Sequence, residues 1–170
     1  MAVQIVLLRL IHIVAGILWV GFAAFLPFYL MPALAEAGPD AGKIMGALQR
    51  RGLMTILPAL AGLNMLAGLG LFWVVSGGSA EYFRSPMAHT LILGALFAIA
   101  AYVLGMRVGR PSILRANAIM QGLSPTAAPE ERASAIAEAA TLRQRGSRAA
   151  GTAAWLLILA AACMAVARYV

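Results

Sequence analysis

Between Gln4 and Met31 the chain reads QIVLLRLIHIVAGILWVGFAAFLPFYLM, with no carboxylate and a single basic residue, Arg9. About 20 apolar residues of helix cross the hydrocarbon core of a bilayer, so this run is long enough to span it once. Three further runs of the same kind lie at about 53–76, 87–106 and 151–170. All six acidic residues, Glu36, Asp40, Glu81, Glu130, Glu131 and Glu138, fall outside the four runs. In lipid a helix satisfies its own backbone polar groups, whereas a β-barrel would show shorter, alternating segments. The expected fold is all-α: an integral membrane four-helix bundle, with residues 1–170 forming one transmembrane domain.

Composition points the same way. Hydrophobic residues make up 62% of the chain and charged residues 11%, against about 25% charged in an ordinary soluble domain. The first run has no basic segment ahead of it and is longer than the apolar core of a secretory signal, so it reads as a retained helix.

The net charge of +7 is sorted by side rather than gathered into a nucleic-acid-binding patch. Lys43, Arg50 and Arg51 fall between the first and second runs, and Arg107, Arg110, Arg115, Arg132, Arg143, Arg145 and Arg148 between the third and fourth. The opposite side holds only Arg84 and Arg168, with Arg9 just inside the first run. Because basic connections stay in the cytoplasm, the expected location is the inner membrane, with both termini outside and the two long connections inside. The lipid bilayer is the expected partner, and nucleic acid is not.

The connection between the third and fourth runs carries helix punctuation over about 112–146. Pro129 suits a first helical position, Glu130 and Glu131 the positive end of the dipole, Arg143 and Arg145 the negative end, and Gly146 a stop. This predicts a cytoplasmic helix from about Pro129 to Arg145, with a second amphipathic piece, Ser112 to Gln121, along the membrane surface. Both are read as a solvated helical connection without chemistry of its own.

Chemistry is expected at the only two histidines, His12 in the first run and His89 at the start of the third. An ionisable residue inside a membrane span is a functional-site hypothesis by default. With both helices entering from outside, the two imidazoles fall in the same half of the bilayer and are able to share a ligand. Arg9, His12, Gly16 and Trp19 follow one helical face. They offer a cation for propionates, an axial imidazole, room for a macrocycle and an aromatic wall, which together suit a haem. Cys163 is the single cysteine and lies in no C-x-x-C-H, so the haem would be b-type and Cys163 a small core residue. Copper is the alternative ligand, suggested by the thioether and imidazole of Met87-Ala-His89. The plainer alternative is that each histidine hydrogen-bonds a neighbouring helix. Asn64, near the middle of the second run, is expected to make such an interhelical bond, while Gly94-x-x-x-Ala98, Gly105-x-x-x-Gly109 and Ala161-x-x-x-Ala165 favour close helix contact and a homodimer.

The wording Leu10-Ile-His12-Ile-Val-Ala-Gly-Ile-Leu-Trp19-Val-Gly21, followed by Leu26-Pro27 and Pro32, resembles the opening helix of the HemJ-type protoporphyrinogen oxidases and the related copper-resistance D-type membrane proteins. It is also similar to some urate-oxidase-type membrane proteins that carry a cytochrome. The resemblance covers about the first 30 residues, with His89 as a second point, and implies a small helical membrane bundle with a b-type haem. Thr90 stands where the HemJ-type pattern has a lysine, and Phe28 and Tyr29 where it has an arginine and a histidine. The spans contain no Asp, Glu or Lys for acid–base work. The expected function is thus a membrane b-type cytochrome that transfers electrons through a haem on His12 and His89, alone or within a larger redox complex. A porphyrinogen oxidase, a cofactor-free accessory subunit and a copper-handling protein are the alternatives.

Overall fold

A computed structural model describes residues 2–38, 41–124 and 126–170. Among these there is no strand, and four helices are long and apolar enough to cross a membrane. In chain order the helices are α1 (Ala2–Glu36), α2 (Ala41–Arg50), α3 (Leu53–Ser76), α4 (Ala80–Phe83), α5 (Pro86–Gly122) and α6 (Pro129–Tyr169, its last turn 3₁₀). The long helices α1, α3, α5 and α6 contain the four apolar runs. Asp40, expected outside the spans, lies outside the described residues.

Local chemistry sets the breaks. Gly52 takes a φ of 87° between α2 and α3, and Gly77 and Gly78 take 55° and 71° at the end of α3, left-handed conformations that glycine adopts without a steric penalty. The Ser85 hydroxyl accepts from Ala88 N–H at 3.1 Å and donates to Tyr82 O at 2.7 Å, while Pro86 occupies the first turn of α5.

Two helices widen by one residue just ahead of a proline. Leu26–Leu30 is π-helical, with Met31 N–H reaching back to Leu26 O and Pro32 next. Gly105–Gly109 repeats the arrangement, with Arg110 N–H bonded to Gly105 O and Pro111 next. A proline ring clashes with the carbonyl four residues earlier, here in each widened turn, so the wider turn lets α1 and α5 run on through their prolines.

The connection after the third run therefore differs from its expected form. Ser112–Gln121 is no separate surface helix; it continues the third run within α5. Nor does Gly146 stop a helix, since α6 runs through it. A Cβ on Gly146 would lie 2.8 Å from Ile113 Cδ1 and 3.4 Å from Gly109 O, so its missing side chain lets α6 close on α5. At 1.5 Å per residue α5 is about 55 Å long, roughly 25 Å more than the thickness of a hydrocarbon layer of about 30 Å.

Contacts pair α1 with α3 and α5 with α6, both antiparallel, and join the pairs through α1 against α6. Trp19, Ala61, Ala101, Ala153 and Leu157 form a core drawn from all four long helices. Most other buried residues are alanines, whereas Leu66, Ile17, Val6 and Trp73 are exposed. Small residues inside and large apolar ones outside are the arrangement of helices that approach closely and face an apolar solvent. Exposed Tyr29 and Trp155 lie toward one end, with exposed Trp73 and Tyr169 toward the other. Arg168 stacks on the Tyr169 ring at 5.1 Å.

Candidate functional site

His12 lies between α1 and α3. Its Nδ1 is 2.9 Å from the backbone oxygen of Asn64, and because a carbonyl only accepts, Nδ1 must carry the hydrogen. In the neutral ring this leaves the lone pair on Nε2, which makes no hydrogen bond among the described residues. The ring lies against Gly68, where a Cβ would be 2.8 Å from Cε1.

One turn further along α1 the arrangement recurs with the partners exchanged. A Cβ on Gly16 would lie 2.9 Å from Asn64 Oδ1. His12-x-x-x-Gly16 on α1 thus meets Asn64-x-x-x-Gly68 on the antiparallel α3, each polar side chain lying over the other helix's glycine. Asn64 is 9% exposed, and its Oδ1 is buried with no hydrogen-bond partner. An unpaired amide oxygen in an apolar interface costs about 1–3 kcal/mol, so the site has capacity for one more donor. The expected interhelical hydrogen bond at Asn64 exists, but through its backbone carbonyl rather than its amide.

The other expected site residues divide. Arg9 is exposed, one turn from His12. Gly16 offers no room for a macrocycle, because Asn64 occupies that space, and Trp19 is part of the core rather than the wall of a cleft. His89 is exposed in the first turn of α5, beside the buried Ala88. Both histidines belong to the end of the molecule where α3 gives way to α5, yet α5 packs on α6 and α1 on α3 and α6. His12 thus belongs to the α1–α3 pair and His89 to the α5–α6 pair. The ring nitrogen left without a partner at His12 is Nε2, and the face of α1 beside Gly16 is filled by the Asn64 side chain.

Among the described residues no three of His, Cys, Asp and Glu converge. Cys163 lies against Gly94, whose Cβ would be 3.0 Å from Cys163 Cβ and 3.2 Å from Ala160 O, so it serves helix packing, but it is half-buried rather than a core residue. The pairing of Asn64 with His12 and the part played by Gly68 were missed by reading α1 alone, although the matching spacing of a polar residue and a glycine four positions on was present in both runs. Comparison with protein-family models, curated proteins and solved structures finds no match for this chain.

Proposed function

We propose that the chain is an integral protein of the cytoplasmic membrane that carries electrons on a b-type haem ligated by His12 Nε2. The basic stretch between the third and fourth apolar runs, formed by the ends of α5 and α6 that meet at their turn, is cytoplasmic and both termini face out, as the distribution of basic residues favours. The observation that carries the haem reading is the bond from His12 Nδ1 to Asn64 O. Metal-ligating histidines donate their second ring N–H to such an acceptor, which fixes the tautomer and aims the other nitrogen. His89, exposed at the same end, is the proposed second ligand, and Arg9 the cation for a propionate. The haem would supply the redox chemistry. The chain supplies a fixed imidazole in an apolar setting.

A cofactor-free accessory subunit of a membrane complex is the second reading. It is favoured by the close interlock of His12 with Gly68 and Asn64 with Gly16, which explains the same residues by packing alone. An absorption spectrum of the purified chain, with haem added during expression, separates the two. The first reading expects a reducible Soret band that His12→Ala abolishes. A colourless wild-type preparation overturns it.

A further inference from the structure

We infer that the α5–α6 hairpin carries a binding cleft for a phosphate group, supplied by an anionic phospholipid at the cytoplasmic face. A cleft of about 170 Å³ opens between the two helices, with Arg107, Arg115 and Arg145 around it over a floor that includes Pro111 and Leu142. Arg107, Pro111 and Arg115 recur at four-residue intervals along α5, and Leu142 and Arg145 at three along α6, so both helices present one face to it. Ser112, 6% exposed, also lines the cleft, and its hydroxyl makes no hydrogen bond among the described residues.

Charge identifies the ligand. Arg115 donates to Glu138 at 2.9 Å, while neither Arg107 nor Arg145 has a carboxylate partner among the described residues. Two uncompensated guanidinium groups facing one small cleft repel until an anion bridges them, and a guanidinium matches phosphate oxygens with two parallel hydrogen bonds. The unpartnered Ser112 hydroxyl adds a neutral donor. Position identifies the source. Arg107 directly follows the apolar part of α5 and Arg145 precedes the apolar part of α6, so the cleft lies where the hydrophobic stretches end. Basic pockets at that level between membrane helices receive lipid headgroups. The lipid source rests on the membrane reading above; the phosphate chemistry does not.

The test uses the full chain in detergent, with bound lipid counted by native mass spectrometry. Phosphatidylglycerol should be retained in preference to phosphatidylcholine, and Arg107→Gln/Arg145→Gln should weaken retention by about tenfold or more. Arg110→Gln/Arg143→Gln removes the same charge from the same hairpin outside the cleft and should leave retention unchanged. Equal loss in both double variants, or no preference in the wild type, overturns the proposal. Binding of millimolar glycerol phosphate by a chain that retains no lipid supports the phosphate cleft but overturns the lipid source. Failure of the chain to enter vesicles, with glycerol phosphate still bound, refutes the membrane reading alone.

Discussion

The imidazole of His12 rests on the bare backbone of Gly68, so close that a methyl group on the glycine would fall 2.8 Å from Cε1 and 2.9 Å from Nδ1. Gly68→Ala must push the ring off Asn64 O, breaking the hydrogen bond as well as overpacking the interface. Overpacking costs about 1–3 kcal/mol, more than the gain of about 1 kcal/mol from alanine's helix propensity. Thermal unfolding of the purified protein should show a net loss, relieved in His12→Ala/Gly68→Ala. A melting temperature that rises in the single variant would rule out this contact.

Gly16 and Asn64 should behave as a coupled pair. Gly16→Ala places a Cβ 2.9 Å from Oδ1, and it should destabilise the wild type by about 1 kcal/mol or more but stabilise an Asn64→Ala background by up to about 1 kcal/mol. A double-mutant cycle with no coupling would contradict the interlock. Gly16→Leu, otherwise an obvious probe of haem space, would disrupt this interface whether or not a haem binds.

Two glycines should respond oppositely to the same replacement. Gly94→Leu drives a side chain into Ala160 O and Met164 and should separate α5 from α6, at a cost of about 3 kcal/mol. Gly62 has open space around its Cβ position, so Gly62→Leu should gain up to about 1 kcal/mol from helix propensity. Denaturant titration in mixed micelles reads both, and similar values for the two would mean that the α5–α6 contact is misassigned.

Glu138→Gln removes the partner of Arg115, but the two side chains are 50% and 70% exposed. Exposed pairs contribute about 0–1 kcal/mol, so stability should change by less than that, and less still at high salt. A larger loss would show that the pair is shielded from solvent by a neighbour.

For orientation, single cysteines at Ser79 and Ser147 in a Cys163→Ala background should react with impermeant maleimide from opposite sides of the membrane. Both positions are exposed. The basic residues assign Ser147 to the cytoplasm, and labelling of both from one side would refute the four-span topology.

The all-helical class and the four apolar helices were legible because each run is long, apolar and free of carboxylates. The limits of the second run coincide with Leu53–Ser76. The third and fourth helices run past the apolar stretches that end at 106 and begin at 151, because a change from apolar to basic composition marks a change of solvent, not the end of a helix. Gly146 misled for a related reason: the residue that stops helices also lets them touch, and only the partner Ile113 tells the two apart. His12 was legible as the residue of interest, but its neighbours were sought along α1, at Gly16 and Trp19. The packing instead recruited α3, whose register against α1 no single run encodes.

The widened turn at Gly105–Gly109 makes the lower half of α5 sensitive to chain length rather than to residue type. Each helical residue turns the chain by about 100°. Deleting one residue there would restore an ordinary helical turn and rotate all that follows by that angle, carrying the wholly buried Ala116 off α6 and scattering Arg115 from Arg145. Arg107 and the buried Gly109 apart, sequence drift in this turn is therefore more open to substitution than to insertion and deletion, and its length holds the hairpin in phase.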